Sequence, residues 1–245
     1  MKKQKKKNYL INITLILIFL ISLYNMNKLI SNKKEIKNIN KSLKITKVVD
    51  DNSKIIYKNK FNKSLTDYTN MSMIKTNLNY FIKKNPNTVG FIYIPQTKVK
   101  HVVMNDEFYL NHNFNKNKSY YGLPYIYNKN KNFTDKNNII VTKQKTFNDV
   151  LKKKFLDNDK NLVIKVNSKE NVSLWQIVSI YKTKSFSYKT VFKDKEFANY
   201  KSDILLNNEY NLNGDIDDND KLLTIVIEGK TKKVIVAKLI KMQVL

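Results

Sequence analysis

The chain contains no cysteine. That excludes a disulfide framework, a cysteine zinc site and a thiol nucleophile. Arginine is missing as well: all 46 basic residues are lysines, so bidentate guanidinium chemistry is excluded throughout. His101 and His112 are the only histidines, which leaves few candidates for general-base work. No alanine occurs before Ala198, and the apolar run near the N-terminus is not followed by the small residues at which a secretory leader is cleaved.

What the chain has in excess is lysine. The formal net charge is +26. Residues 1–45 hold 11 Lys against the single Glu35, and the remaining residues still carry a net charge of +16. The excess travels with Asn, Ile and Tyr along the whole chain. No basic block is interleaved with aromatics, and the side chain that reads guanine is missing, so no nucleic-acid partner is expected. Diffuse attraction to polyanions is the simpler consequence.

Five lysines precede an apolar run from Tyr9 to Tyr24. Read as a helix, it is about 24 Å long, slightly short of a ~30 Å hydrocarbon core, and Asn25 and Met26 extend it. This reads as an uncleaved signal-anchor. The organisation expected is a basic cytoplasmic N-terminus (1–8), a transmembrane helix (9–26), a Lys/Asn-rich stalk (27–64) and an extracellular domain (65–245). The lysine cluster at the start places the N-terminus inside, and a long following domain translocates largely regardless of its charge.

Within the domain, Met71, Ile74, Leu78, Phe81 and Ile82 recur at helical spacing until Pro86. Strand-like runs follow: "TVGFIYIP", "KVKHVVM", "NNIIVTK", "NLVIKVN", "NVSLWQIVSIYKT", and the pair in "KLLTIVIEGKTKKVIVAKLI". They are rich in β-branched residues and bounded by turn formers. Helical stretches, "KTFNDVLKKKFL" and "KDKEFANYKSDILLNN", lie between them. The class is mainly β with α, a closed barrel carrying helical connections.

From Asn77 to Ile240 the order of these segments resembles the class B sortases, membrane-anchored cysteine transpeptidases of Gram-positive cell surfaces. "NPNTVGFIYIPQTKVKHVVMNDEFYLNHNF" is similar to that family's Asn-Pro, Val-Gly-aromatic, Ile-Pro and Tyr-Leu-Asn-His stretch. "YGLPYIYNKN", "NNIIVTKQ", "WQIVSIYKT" and "DKLLTIVIEG" follow in the family's order. The resemblance implies an eight-stranded barrel with N-terminal helices. It also implies a catalytic cysteine, histidine and arginine, and here the pattern breaks. The cysteine's place holds Glu228, the histidine's Lys143, and the arginine's Lys233, or Lys232 if the turn shifts by one.

A carboxylate is a poor acyl acceptor for transpeptidation, and a lysine that is not strongly desolvated is protonated and cannot serve as base. No catalytic residue is therefore expected. No cofactor is expected and no metal site is assigned. Lys143, Glu228 and Lys233 are expected to repeat the minus, plus, plus arrangement of the family's groove and to form a binding site. Glu228 is expected within ion-pair reach of Lys143 or Lys233, the rival being lysines solvated on the rim.

The function this implies is a pseudo-sortase: a surface module binding a peptide or sorting signal, or accompanying an active sortase or a surface assembly. The alternatives are an enzyme using Glu228 and Lys143 in altered chemistry, with Thr142 or Thr224 as a conceivable partner of Lys143, and a structural wall-associated protein. The acidic turn 215–220 has Asp215, Asp217 and Asn219 at calcium-loop spacing, but Asp220 stands at the sixth position and Val226 at the twelfth, where Gly and Glu belong. It reads as a plain turn, the alternative being weak calcium binding. "EGKT" reads as a hairpin turn, His112 as a structural hydrogen bonder, His101 as incidental and Trp175 as core.

Overall fold

The structure, a computed structural model, describes residues 2–59, 67–127, 130, 133–210, 212 and 214–245. The chain falls into two compact units divided after Ser42.

The first unit is one helix, α1 (Lys2–Ser42). Its segment Ile11–Ser31 is long and apolar enough to cross a membrane. At 1.5 Å per residue its 21 residues span about 31 Å, which matches a hydrocarbon core of about 30 Å. The apolar side chains from Leu15 to Ile21 are all exposed.

The second unit carries the strands β1 (Ile45–Val48), β2 (Ile55–Lys58), β3 (Met73–Thr76), β4 (Thr88–Tyr93), β5 (Lys100–Met104), β6 (Tyr125–Ile126), β7 (Asn137–Thr142), β8 (Val163–Ser168), β9 (Asn171–Thr183), β10 (Leu222–Ile227) and β11 (Lys232–Val244). Its helices are α2 (Leu78–Lys84), α3 (Lys153–Leu156) and α4 (Asp194–Leu206). Eight strands run in the order β10-β7-β6-β5-β4-β8-β9-β11, and pairing of β10 with β11 closes the barrel. Every pairing in this ring is antiparallel except β5–β6 and β7–β10.

The barrel interior is filled by Trp175, Phe133, Phe147, Ile140, Ile225 and Ile235, all buried. A second apolar layer outside it packs Phe197 and Ile204 of α4 on Val178, Val234 and Val236. A third packs Tyr68 and Met73 on Leu174 and Ile240. β9 and β11 are thus covered on both faces, which accounts for their nearly unbroken burial and their density of Val, Ile and Leu.

Two helical expectations are corrected, and the stretch 27–64, expected as a stalk, carries regular structure over most of its described length. α1 continues to Ser42, β1 pairs with β3, and β2 pairs with the C-terminal part of β11. A buried charge helps hold it there: the Lys241 ammonium on β11 donates to both carboxylate oxygens of Asp50, at 2.8 and 2.7 Å, and to the Thr69 carbonyl at 2.8 Å. The helix read from Met71 begins only at Leu78, because Met73–Thr76 is extended. Asn167 fixes this strand by accepting from both the N–H and the hydroxyl of Thr76. Of the helix read over 145–156, the first part, Lys145–Leu151, is a 3-10 turn and only α3 is α-helical.

Candidate functional site

Strand register brings the three substituted positions together. On β10, Ile227 lies opposite Thr142 of the parallel neighbour β7 and opposite Lys233 of the antiparallel neighbour β11. Lys143 and Glu228 are the next residues along parallel strands, and the Glu228 N–H donates to the Thr142 carbonyl at 2.7 Å. The chain therefore delivers Lys143, Glu228 and Lys233 to one end of the barrel. All three line a single open cleft of about 550 Å³ with Tyr120, Tyr121 and Lys145.

The ion pair at this site differs from the one expected. Glu228 pairs with Lys232, four residues on across the β10–β11 turn, which donates to both carboxylate oxygens, at 2.5 Å to Oε1. The Tyr188 hydroxyl donates to the same Oε1 at 2.7 Å. Partial burial pushes the Glu228 carboxyl up, but these bonds, with the charges of Lys232 and Lys143, outweigh it and hold the group below its ordinary value. Among the described residues, neither Lys143 nor Lys233 forms an ion pair with Glu228. Lys143 Nζ donates instead to Asn111 Oδ1 at 2.6 Å, and Lys233 Nζ to Asn148 Oδ1 at 2.8 Å. Both are held by neutral amides, neither paired with Glu228 nor left wholly to solvent.

The walls of the cleft are pinned by local hydrogen bonds. Asp106 caps the 3-10 turn Glu107–Asn111 by accepting from the Phe108 N–H at 2.7 Å, which fixes Asn111. Gln144, next to Lys143, donates from Nε2 to the Gly122 carbonyl at 2.5 Å. Gly122 has φ +49°, and a Cβ there would lie 2.2 Å from the Tyr109 carbonyl oxygen, so only glycine fits. Tyr188 stacks on Tyr127, with ring centroids 5.2 Å apart, and meets Phe186 edge-on.

Among the described residues, the aliphatic hydroxyl in the cleft lining is that of Thr231. Burial, followed by the hydrogen bond to Glu228 and its charge, pushes the Tyr188 hydroxyl well up, and burial with the charges of Glu107 and Glu228 pushes Tyr125 up to about 12. Both phenols stay protonated. Thr224 is buried and donates to Asn137 Oδ1 at 2.8 Å, and the buried Thr142 hydroxyl accepts from the Gln144 N–H at 3.0 Å. Neither threonine pairs with Lys143.

The remaining residues fall into structural roles. His112 bonds the Phe108 carbonyl through Nδ1 at 2.7 Å and stacks on the Phe108 ring. His101 is not incidental: it is buried, bonds Thr146 Oγ1 at 2.7 Å and stacks on Phe147. Burial lowers it to about 4. Trp175 is core and donates to Ser173 Oγ at 2.8 Å. In the acidic turn, Asp215 pairs with Lys238 at 2.5 Å, Asp218 with Lys201 at 2.6 Å, and Asp220 accepts from Asn59 at 3.0 Å. The carboxylates diverge to separate partners. Among the described residues no cluster of three His, Asp or Glu able to hold a metal exists.

Sequence reasoning missed Tyr188, Asn111, Asn148 and the aromatic wall, and named Lys232 only as a shifted alternative. Tyr188 lies in a segment without regular structure, where no period announces which side chain turns inward.

No protein-family model matches this sequence, and no curated protein does. Solved structures do match. Clostridium perfringens sortase B is 22% identical with a TM-score of 0.59, the match covering 66% of this chain and 98% of that one. The class B sortase fold is the fold of this protein. A Bacillus anthracis protein similar to sortase B matches with a TM-score of 0.61 at 17% identity, over 67% of this chain and 82% of that one. A Staphylococcus aureus sortase B–substrate complex matches with 0.60 at 22%, over 67% and 84%. The sortase-fold barrel here closes without a cysteine anywhere in the chain, and Glu228 follows directly on the end of its β10.

Proposed function

We propose that this chain is a membrane-anchored, extracellular sortase-fold protein without sortase catalysis, whose cleft binds a peptide segment of a surface protein or sorting signal. The observation that carries the reading is the convergence of Lys143, Glu228 and Lys233 on one open cleft in a chain that has no thiol. Acyl transfer needs a nucleophile that attacks a carbonyl and then leaves to an amine. Glu228 is an ionised carboxylate already engaged by Lys232 and Tyr188, and an anhydride formed from it would be lost to water. Binding needs less. The cleft is open, its cations are oriented and its walls are pinned. Substrate and triglycine complexes of solved sortase B structures support a peptide as the class of ligand. The apolar, exposed α1 segment supports the anchor.

The test is incubation of the full chain in neutral detergent micelles with fluorescent sorting-type peptides and an amine acceptor, read by anisotropy and by peptide mass. The expected outcome is binding weakened by Lys143→Ala and Lys233→Ala, with no cleaved or amine-exchanged product. Peptide turnover that disappears in Lys143→Ala would overturn the reading in favour of an enzyme with altered chemistry at Glu228 and Lys143.

A further inference from the structure

We infer that the cleft selects an acidic peptide, its carboxylates met by Lys143, Lys145 and Lys233; this rests on the peptide-binding reading and names the substrate class. The cleft lining contains three lysines and one carboxylate, Glu228. That carboxylate is already taken up by Lys232, which lies outside the lining, and by Tyr188. The three lining amines are therefore without a direct ion-pair partner at Glu228. Among the described residues, none of them lies within ion-pair distance of a carboxylate.

Their environment fixes them without neutralising them. Asn111 holds Lys143 and Asn148 holds Lys233, each through an uncharged amide oxygen that takes one of the three ammonium donors. Lys145 lies over the Tyr121 ring, 5.2 Å from its centroid, again a neutral partner. An amine held by a neutral acceptor loses less freedom on meeting a carboxylate, because part of its ordering has already occurred.

The same lining also offers aromatic and apolar surface. Tyr120 is 73% exposed and meets Tyr121 edge-on, and Ile227 also lines the cleft. A peptide alternating acidic with aromatic or aliphatic side chains covers both kinds of surface. A phosphate polymer would meet the amines and leave the tyrosine rings bare. The charge of the whole domain attracts any polyanion, so the test must separate charge read at the cleft from charge in general.

A library of random ten-residue peptides would be panned against the full chain in neutral detergent micelles. The expected pool is enriched in Asp and Glu. The enrichment is expected to vanish in Lys143→Gln/Lys233→Gln and to survive in Lys83→Gln/Lys100→Gln, which removes the same charge outside the cleft. A selected peptide should bind about tenfold more tightly than its Asn/Gln counterpart, the size expected of two partly exposed ion pairs. A selected pool with no acidic bias overturns this inference and leaves peptide binding standing. No selection above empty micelles overturns both. Acidic enrichment that persists in Lys143→Gln/Lys233→Gln overturns it, because the charge is then read elsewhere. Poly(glycerol phosphate) displacing the peptide at a lower charge concentration assigns the cleft to phosphate polymers and overturns it too.

Discussion

The Lys232 ammonium grips both oxygens of the Glu228 carboxylate across the turn that joins β10 to β11. With side chains only 20% and 19% exposed, the pair sits between a surface salt bridge and a buried one. Its role is therefore structural as well as electrostatic: it closes the hairpin and engages the carboxylate of the cleft lining.

Loss of that carboxylate has a predictable cost. Glu228→Ala strands the Lys232 amine and the Tyr188 hydroxyl, and is expected to lower stability by about 1–2 kcal/mol, read as a shift in urea midpoint. Glu228→Gln keeps acceptors for both donors and should cost less. Because the folded-state pKa lies below the ordinary 4.5, folding favours the ionised form. The contribution is present above about pH 4.5 and is lost as pH falls through the lowered value. The gap between the wild-type chain and Glu228→Gln should therefore close on acidification below that point. A gap unchanged from neutral pH down to about pH 2 would show that the carboxylate is not held in this way.

His101 acts in a different window. Its folded value of about 4 lies below the ordinary 6.5, so between these two values the unfolded chain binds the extra proton. Stability rises with pH across that interval and is fully present above it, a contribution of order 3 kcal/mol. Replacing His101 with Gln, which can still bond Thr146, should flatten the stability profile between about pH 6.5 and 4 whatever its effect at neutral pH. A profile as steep as that of the wild-type chain would refute the assignment.

Two glycines near the cleft should respond to different degrees. Gly122→Ala meets a backbone carbonyl at 2.2 Å in a left-handed conformation and is expected to cost about 2 kcal/mol or more. It should loosen the Gln144 anchor as well. Gly229→Ala, whose nearest contact is 3.3 Å, should stay within about 1 kcal/mol. Thermal midpoints of the two variants decide it; equal losses would mean that the Gly122 turn relaxes.

The Lys241–Asp50 pair predicts an asymmetry. Lys241 is 1% exposed and Asp50 31%. Asp50→Ala leaves a charge buried and should cost about 3 kcal/mol or more, whereas Lys241→Met leaves a carboxylate that water can reach and should cost about 1–2. The double variant is expected near the Lys241→Met value, since it removes the stranded amine. Denaturant titration of the full chain gives all three numbers. A cheaper Asp50→Ala would mean that Lys241 finds another acceptor.

How much of this was legible beforehand follows from how far each feature is local. β4, β5 and β7 to β11 were readable because each is a run of β-branched residues between polar turns, and β9 was readable to the residue. The grouping of Lys143, Glu228 and Lys233 was legible only through the resemblance, which sets them in the places of the family's catalytic residues. β1 and β2 were not, since each buries only part of one face in a Lys/Asn-rich background. β3 was mistaken for helix because Met71, Ile74 and Leu78 match a 3.6-residue period by chance. The partner of Glu228 depends on the rotation of the hairpin, which selects Lys232 over Lys233, and no spacing rule reports that rotation. Tyr188 comes from a segment without regular structure and the two asparagines from short 3-10 turns, where position is set by tertiary contact.

The pairing of β2 with the far half of β11 bears on how this protein can be shortened. Along Lys241–Gln243 the neighbour on that side is β2, not a barrel strand. A fragment begun at residue 65 would leave those amides and carbonyls bare, a ready template for a second copy to dock edge to edge. Soluble, monodisperse material is to be expected from fragments that keep residues 43–59, and clumping from those that discard them.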